Sequence, residues 1–306
     1  MFSQRRSGLE LLLERPRPSL WEQFWASPIV FLARRLYTVT RPLPPPEPII
    51  NPVTVVCVSD THNAQFELPD GDLLIHAGDL TQSGSFQELQ LAINWLRSQP
   101  HRHKIVIAGN HDLLLDAMLD YGPPRGRDVP PRRREELDWG DIIHLQDSAV
   151  TLTCSNGRQL RLYGSPKSAK HGNWAFQYPR SQNIWKDVVP DETDILITHG
   201  PPRAHLDLNL GCHHLLHELW RVRPSLHVFG HVHEGHGREW LYYDGLQNAF
   251  EGVVTRGGLL NLLRVIKEAL LWCWTPMKEP KTLLVNPSMV GGLRDNQRRR
   301  PIVAMI

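Results

Sequence analysis

Five apolar runs of strand length each end directly at a turn of polar residues, and this repeated pattern constrains the fold more than any other feature of the sequence. The run at 53–58 stops just before Asp60, and the run at 73–77 stops just before Asp79. The five turns are Asp60-Thr61-His62, Gly78-Asp79, Gly109-Asn110-His111-Asp112, Thr198-His199-Gly200 and Gly230-His231-Val232-His233. In sheets layered with helices, ligands bind beyond the carboxyl ends of the strands. The pattern therefore predicts an α/β fold in which the five turns converge.

The segments between these runs carry helix and hairpin signals. Ser85 and Glu88 form a capping-box pattern, and apolar residues at helical spacing follow, so we predict a helix over residues 85–97. A second helix is expected over 211–221. Residues 150–154 and 159–163 are typical of a hairpin, with Asn156-Gly157 as its turn.

The polar residues of the five turns are of the types that hold transition metals. Imidazole and carboxylate groups together bind Zn, Fe or Mn, and no thiol lies in these turns. A single Asp-x-His turn is weak evidence, because the same residues occur in ordinary turns, whereas the ordered set of five is a strong signal. The candidate metal ligands are Asp60, His62, Asp79, Asn110, His199, His231 and His233.

This series of motifs resembles the calcineurin-like metallophosphoesterase superfamily over residues 53–233. The order is D-x-H, G-D, G-N-H-D, a single His after a strand, and G-H-x-H. The stretches DILITHGPP and RPSLHVFGHVHEG further resemble its small metallophosphoesterase-domain-containing subfamily. The resemblance implies a four-layer αββα metallophosphoesterase sandwich, with two central mixed β-sheets flanked by helices.

The resemblance also implies a role for each residue of the turns. Asp60, His62 and His233 would hold one divalent metal ion, and Asn110, His199 and His231 a second, with Asp79 bridging the two. His111 would face the scissile phosphate as general acid, and Asp112 would orient its ring. The implied enzyme is a binuclear metallophosphoesterase with two Mn, Fe or Zn ions. It would hydrolyse phosphodiester bonds of small or nucleotide substrates by means of a metal-bridging hydroxide.

Two other functions stay open at this point. One is a phosphomonoesterase, although the chain has GNHD where protein phosphatases have GNHE with further Arg-bearing motifs. The other is a weakly active metal-binding scaffold at a membrane surface. Both histidines of the GHxH motif are present, which favours an active enzyme acting on a small-molecule phosphoester. Asn173 is a candidate substrate contact, because its loop lies near the active site in the family.

Residues 1–50 are expected to stand apart from a phosphoesterase domain over 51–306. Five prolines between 42 and 48 predict a stiff linker. The residues before it are interpreted either as a partly disordered leader or as an amphipathic helix on a membrane. Residues 234–282 read as a helical insertion, whose helix at 259–274 either packs on the domain or faces a membrane. Peripheral membrane contact is thus expected through 18–38 or 259–274.

Composition excludes some classes of protein. The formal net charge of +2 gives no electrostatic argument for nucleic-acid binding, and the arginine runs at 132–134 and 298–300 are interpreted as solvated loops. The four cysteines are scattered, which indicates free thiols and a cytoplasmic location. Residues 1–10 lack the apolar core of a signal peptide, and no apolar stretch of roughly 18 residues predicts a membrane span.

Overall fold

The computed structural model describes residues 19–41, 49–119, 133–274, 281–292 and 295–306, without the side chains of 273 and 274. The predicted proline-rich linker at 42–48 and most of the leader lie outside these residues. The described residues group into two compact units. The sandwich unit comprises those of Pro48–Leu241, Lys281–Val290 and Arg298–Ile306, and the helical unit those of Met1–Glu47, Tyr242–Pro280 and Gly291–Gln297.

Strands and helices are unevenly distributed, and no α-helix separates the strands between residues 143 and 198. In chain order the strands are β1 (Thr54–Val58), β2 (Leu73–Ala77), β3 (His103–Ile107), β4 (Ile143–His144), β5 (Ser148–Thr153), β6 (Gln159–Ser165), β7 (Ser168–Ala169), β8 (Gln177–Tyr178), β9 (Ile195–Thr198), β10 (Leu226–Val228), β11 (Gly237–Tyr242), β12 (Lys281–Asn286), β13 (Val290–Gly291), β14 (Gln297–Arg298) and β15 (Ile302–Met305). The helices are α1 (Leu20–Ala26), α2 (Pro28–Thr40), α3 (Phe86–Arg97), α4 (His213–Val222), α5 (Gly245–Arg256) and α6 (Leu259–Trp274), with 3-10 turns at Leu113–Leu115, Arg134–Glu136 and His233–Gly235.

Two mixed sheets form the centre of the sandwich unit. The first has the strand order β15-β1-β2-β3-β4, and the second has the order β11-β12-β10-β9-β6-β5. Their facing sides share one apolar core, to which Val55 and Ile75 contribute from the first sheet and Ile197 and Val228 from the second. The predicted pair of central mixed sheets is therefore confirmed.

Helices cover the outer sides of both sheets. Helix α3 buries Leu89, Ile93 and Leu96 in a second apolar cluster, together with Val56 and Leu74 from the outer side of the first sheet. Its predicted capping box is present, with Ser85 as the N-cap residue. Helix α4 connects the parallel strands β9 and β10. Because the inner side of their sheet is filled by the other sheet, this crossover helix packs on the outer side.

Register within the sheets brings the polar turns to one edge. Val58 pairs with His76, and His76 pairs with Val106, so β1, β2 and β3 run parallel and end at nearly the same level. In the second sheet, Val228 pairs with Ile197, which aligns the ends of β9 and β10. The five turns therefore begin at the carboxyl ends of parallel strands, as the sequence predicts.

The predicted hairpin is present as β5 and β6, which pair antiparallel from Ser148 opposite Gly164 to Thr153 opposite Gln159. Gly157 in its turn has a φ of 82°, a left-handed conformation that glycine adopts without steric cost. Both strands belong to the second sheet, in which β5 is an edge strand and β6 pairs with β9.

The helical unit has an apolar core of its own, formed by α2, α5 and α6. Ala33 from α2, Phe250 and Val253 from α5, and Leu262 and Val265 from α6 are buried together. The described residues of the predicted leader thus form two helices, of which α2 packs with α5 and α6. The expected insertion at 234–282 contains the strand β11, which starts at Gly237, and two helices, α5 and α6.

Two expectations from composition can be compared with the structure. In the part of the chain that is described, no helix combines the length and apolar character needed to cross a bilayer. Cys57, Cys154 and Cys212 are free and buried, whereas the side chain of Cys273 lies outside the described residues.

Candidate metal centre

The five turns meet at one place in the sandwich unit. Two groups of side chains there can each hold a metal ion, and within each group the ligand atoms all lie within 4.8 Å of one another. The first group consists of Asp60, His62, Asp79 and His233, and the second of Asp79, His199 and His231. All of these residues are ones that the sequence analysis selects as ligands.

In the first group, two histidines from distant turns face each other. Nε2 of His62 lies 3.2 Å from Nε2 of His233. Nε2 of His233 also lies 3.5 Å from Oδ1 of Asp60, and Nε2 of His62 lies 3.8 Å from Oδ2 of Asp79. Nitrogen and oxygen ligand atoms thus point toward one small volume.

The second group is centred on His199, which is fully buried. Its Nε2 lies 3.4 Å from Oδ2 of Asp79 and 3.0 Å from Oδ1 of Asn110. The ring of His231 lies edge-on to the ring of His199, with 5.0 Å between the centroids. The structure thereby brings Asn110, the seventh predicted ligand, to the same group.

Asp79 is common to both groups, and its two carboxylate oxygens have different neighbours. Oδ1 accepts a hydrogen bond of 2.7 Å from the backbone N–H of His111. Oδ2 is the atom nearest to both His62 and His199. The backbone of the G-N-H-D turn therefore fixes the carboxylate so that Oδ2 faces both groups at once.

Hydrogen bonds at the far sides of the rings indicate which nitrogens carry a proton. Nδ1 of His62 lies 3.1 Å from the carbonyl oxygen of Thr81, and Nδ1 of His199 lies 3.0 Å from that of Ala77. A carbonyl only accepts, so we assign the proton of each ring to Nδ1. When such a ring is neutral, as a metal ligand must be, its Nε2 directs a lone pair at other acceptors, an arrangement that fits a cation between them.

Electrostatics at the centre favour a cation as well. Burial opposes ionisation of Asp60, but the hydrogen bond and charge of His233 and the charges of nearby histidines hold the pKa of this carboxyl well below its usual range. The pKa of Asp79 is also lowered, because His199 and His62 outweigh the effect of burial. Burial lowers the pKa of His199, but Asp79 and Asp60 raise it overall to about 9. Two buried anionic carboxylates therefore require positive charge beside them.

Four of the candidate ligands have left-handed backbone conformations, which non-glycine residues rarely adopt. Their φ angles are 50° for Asp60, 44° for His62, 54° for Asp79 and 70° for His231. Such conformations cost on the order of 1–3 kcal/mol each and cluster at functional sites. The sharp turns direct the side chains back over the ends of the strands.

Two glycines of the motifs are required by close approach of the carboxylates. A Cβ atom on Gly109 would lie 2.2 Å from Oδ1 of Asp79, and one on Gly230 would lie 2.3 Å from Oδ2 of Asp60. Any other residue at these positions would displace a candidate ligand. The glycines of G-N-H-D and G-H-x-H are thus part of the geometry of the centre.

Comparison with known proteins agrees with this arrangement. The family model for the calcineurin-like phosphoesterase matches residues 53–235, which is more than half of the chain. The chain belongs to the calcineurin-like phosphoesterase family. Family membership and the two groups of candidate metal ligands together indicate that the domain is a metal-dependent phosphoesterase.

One of the curated relatives supports the predicted subfamily. The chain is 42% identical over 203 residues to human "Metallophosphoesterase domain-containing protein 1", a match that covers 60% of this chain and 61% of that protein. It is 44% identical over 308 residues to "Probable rhamnogalacturonate lyase C" of Emericella nidulans, covering 97% of this chain but only 28% of that protein. Among solved structures, TT1561 of Thermus thermophilus is similar with a TM-score of 0.42 and 12% identity, over 77% of this chain and 89% of that one. The chain thus spans less than two thirds of the length of the two curated relatives, the human protein and the Emericella nidulans protein.

Beyond the residues that define the family, two serines hold the carboxylate of Asp60. Oγ of Ser59 lies 2.6 Å and Oγ of Ser288 lies 2.7 Å from its Oδ2. The backbone N–H of His231 donates to the same carboxylate, 3.0 Å from Oδ1. These contacts leave Oδ1 directed at His233. Neither serine is recognisable as a site residue from the sequence, because a lone serine carries no signal of its own.

Asp112 has a different role from the one that the family resemblance implies. Its carboxylate accepts hydrogen bonds from the backbone N–H groups of Gly109, Leu80 and Thr81 and from the hydroxyl of Thr81. The ring of His111 is held by the carbonyl oxygen of Gln82, 2.9 Å from Nδ1. The prediction that Asp112 orients the His111 ring is therefore corrected. Asp112 joins the turns after β2 and β3, because it is buried where their N–H groups converge.

One residue of the arginine run at 298–300 is not simply solvated, contrary to the sequence interpretation. The guanidinium of Arg299 donates to the carbonyl oxygen of His233 and lies 2.9 Å from the carboxylate of Glu234. It also reaches the carbonyl oxygen of Val290 at 3.3 Å. Arg299 therefore anchors the backbone that follows the G-H-x-H motif.

An aromatic side chain lies next to His111 on the open side of the centre. The centroid of the Trp174 ring is 4.3 Å from that of His111, with 30° between the planes. The loop is tied to the centre because the N–H of Ala175 donates to the carbonyl oxygen of Asn110 at 3.1 Å. Asn173, the predicted substrate contact, is exposed and precedes Trp174 directly. Its role stays a prediction, whereas Trp174 is the residue of this loop with a ring contact to His111.

Proposed function

We propose that the domain hydrolyses phosphodiesters of small or nucleotide molecules with two divalent ions, Mn, Fe or Zn, at the centre described above. The observation that carries this proposal is the position of His111. Its ring lies 4.7 Å from the ring of His62, yet His111 belongs to neither ligand group. A titratable side chain beside a metal centre but free of the metals is suited to proton transfer.

The ligand groups divide between two ions that share Asp79. Asp60, His62 and His233 suit one ion, and Asn110, His199 and His231 the other, because nitrogen and carboxylate ligands match these metals. When bound, two such ions neutralise charge on the phosphoryl group and lower the pKa of water toward about 7. Asp60 and Asp79 are buried, so they hold their geometry during the reaction.

His111 is oriented for proton donation to the leaving oxygen. Its Nδ1 donates to the carbonyl oxygen of Gln82, which leaves Nε2 free to carry a second proton when the ring is cationic. General acid catalysis of this kind contributes about 10²–10⁴-fold to the rate. The benefit is greatest for a strongly basic leaving oxygen, because that oxygen departs with the most charge.

Trp174 supports an aromatic group on the leaving side of the substrate. Its ring is half-buried and packs beside His111, so it lies next to the side chain that would protonate the leaving oxygen. Aromatic faces stack on bases and other planar groups. A phosphodiester with a nucleoside or aryl leaving group therefore suits this side of the centre.

The proposal can be tested by measuring turnover of the purified full chain with Mn²⁺. We expect hydrolysis of bis-nitrophenyl phosphate to exceed that of nitrophenyl phosphate. In His111→Ala, turnover of a diester with an alkyl leaving group should fall by about 10²–10⁴-fold, and turnover of the nitrophenyl diester should fall less, because nitrophenolate needs little protonation. Metal content should stay unchanged in this variant. His103→Ala, at a histidine bonded to the carbonyl oxygen of Thr153, is the matched control.

Other outcomes would assign the domain differently. Turnover of the monoester alone would overturn the phosphodiesterase assignment in favour of a phosphomonoesterase. Absence of turnover with two ions bound would favour a metal-binding scaffold. If turnover of the alkyl diester and turnover of the nitrophenyl diester fell equally in His111→Ala, His111 would be excluded as general acid.

A further inference from the structure

Helix α6 of the helical unit has apolar residues on two sides, and among the described residues one of these sides is packed in a core. Leu262, Val265 and Ala269 are buried in the core that α6 shares with α2 and α5. The opposite side carries a further set of large apolar residues that remain exposed. An amphipathic helix that only packed on its own domain would have a polar outer side.

The exposed side of α6 is lined mainly by large apolar residues. Its residues are Leu259, Leu260, Leu263, Ile266, Leu270 and Leu271, with exposed fractions between 39% and 77%. At 100° per residue, the spacing of Leu259, Leu263, Ile266 and Leu270 places these four side chains in one stripe along the helix. Large apolar side chains that are exposed together, and not singly, mark an interaction surface, so a partner is expected.

The charges on the same side of α6 are positive. Arg264 and Lys267 are exposed, and at 100° per residue they lie next to Leu260 and Leu271 around the helix. The single acidic residue in the sequence of this helix is Glu268, which is half-buried, and its Oε1 lies 3.6 Å from Nζ of Lys267. The exposed side therefore carries an excess of positive charge next to its leucines.

The rest of the helical unit shows the same combination of side chains. Trp21 and Trp25 on α1 have exposed fractions of 70% and 72%, and their rings stack with centroids 6.4 Å apart. Arg34 and Arg35 on α2 are exposed as well. Tryptophan prefers the boundary between water and lipid, and arginine binds lipid phosphates there.

We propose that the helical unit binds the surface of an anionic lipid bilayer through the exposed side of α6. The leucines and Ile266 would enter the boundary between headgroups and acyl chains, and Arg264 and Lys267 would contact anionic headgroups. A second copy of the chain suits this surface less well. The apolar stripe spans only two heptads, fewer than a stable coiled coil uses, and pairing would bring like charges together.

Vesicle co-sedimentation of the full chain tests the proposal. We expect binding to vesicles of phosphatidylcholine with phosphatidylserine, weaker binding to phosphatidylcholine alone, and loss of the difference at high salt. The double variant Leu263→Gln/Leu270→Gln should bind at least about tenfold more weakly, because it removes apolar burial in lipid. Leu91→Gln on α3 is the matched control, since Leu91 and Leu270 are both 61% exposed. It should bind as the unchanged chain does.

A variant without the two positive charges separates the electrostatic contribution to vesicle binding from the apolar one. Arg264→Gln/Lys267→Gln should reduce the preference for phosphatidylserine by about fivefold per residue removed, while binding to phosphatidylcholine stays similar. Diester turnover and thermal unfolding of each variant check that the chain is folded.

Three results would overturn the proposal. The first is binding of the leucine variant as tightly as the unchanged chain. The second is equal binding of the unchanged chain to both kinds of vesicle, or binding to neither. The third is a stable dimer in light scattering that the leucine variant dissociates, which would assign this surface to a second copy of the chain.

Discussion

Nε2 of His62 lies 3.2 Å from Nε2 of His233, although 171 positions separate the two residues in the chain. His62 follows β1 of the first sheet, and His233 follows β10 of the second. The two nitrogens therefore meet only when the sheets have packed against each other. Binding of a metal ion at this point is thereby coupled to formation of the sandwich.

Removal of metal should lower the stability of the domain. An ion present at about 100 times its dissociation constant contributes roughly 2.7 kcal/mol per site, which corresponds to a shift of about 5–10 °C in Tm for a domain of this size. We therefore expect EDTA treatment to lower the Tm by at least this amount, and excess Mn²⁺ to restore it. Differential scanning fluorimetry measures the change. An identical Tm with and without chelator would contradict metal binding across the two sheets.

Asp79→Asn should abolish binding of both ions, because Oδ2 of Asp79 faces both ligand groups. Asp60→Asn should remove only the ion held with His62 and His233. Metal analysis of the protein after equilibration with Mn²⁺ distinguishes these results. Asp138→Asn provides the control, since Asp138 is exposed and pairs with Arg97. If Asp79→Asn kept one ion at full occupancy, Asp79 would not be the shared ligand.

The sequence was sufficient to predict the parts of the centre whose signals are local. Each of the five turns follows a buried strand directly, so the strand pattern indicates where Asp60, Asp79 and His199 lie. The capping box of α3 is likewise a short-range signal, and Ser85 is its N-cap residue in the structure. Convergence of the turns follows from parallel strands ending at one edge.

Contacts between distant segments could not be predicted in this way. Ser288 reaches Asp60 across 228 positions, and Arg299 reaches the carbonyl of His233 across 66. Neither residue belongs to a recognisable motif, because its role depends on a contact that forms only when distant parts of the chain fold together. The amphipathic patterns of α2 and α6 similarly indicate an apolar face but not which helix covers it. This is why the packing of α2 with α5 and α6 was not predicted.

Ser288→Ala should weaken binding of the ion held with Asp60, His62 and His233 more than binding of the other ion. Loss of the hydroxyl removes one of the contacts that hold Oδ2 of Asp60, and such outer contacts are worth about 10–100-fold in metal affinity. Calorimetric titration of metal-free protein with Mn²⁺ should resolve one weakened and one unchanged site. Ser165→Ala is a matched control, because its buried hydroxyl donates to Asp147, outside the centre, at 2.7 Å. Equal affinities in Ser288→Ala and the unchanged chain would show that Ser59 and the backbone N–H of His231 hold the carboxylate without Ser288.

Trp174→Ala should reduce the preference of the domain for diesters with an aryl leaving group. Stacking on an aromatic side chain is worth about 1–3 kcal/mol, so kcat/KM for a diester with an aryl leaving group should fall by about 5–150-fold. A diester with a methyl leaving group should be affected little, and Trp174→Phe should retain most of the activity toward the aryl diester. Steady-state kinetics with the two diesters measure this. Equal losses for both diesters would point to a general disturbance of the centre.

His144 provides a test of pH-dependent stability away from the metal centre. Its ring stacks on Trp139 with centroids 4.4 Å apart, and among the described residues its buried Nε2 has no hydrogen-bond partner. Burial lowers the pKa of this histidine to about 4, below the value of about 6.5 for an unfolded chain. As the pH falls below about 6.5, the unfolded chain gains a proton at His144 that the folded chain does not. The stability that His144 contributes is therefore complete above pH 6.5 and is lost toward pH 4.

His144→Phe should make the domain less sensitive to acid. Phenylalanine keeps a ring that can stack on Trp139 but has no group to protonate. Between pH 7 and pH 5, we expect the free energy of unfolding to fall by about 2 kcal/mol less in the variant than in the unchanged chain, because each proton taken up costs about 1.4 kcal/mol per pH unit. Urea unfolding of both proteins at the two pH values measures the difference. Other buried histidines, such as His227 with a pKa lowered by burial to about 3, contribute equally to both proteins and cancel in the comparison. Parallel losses of stability in the two proteins would mean that His144 is protonated as readily in the folded chain as in the unfolded one.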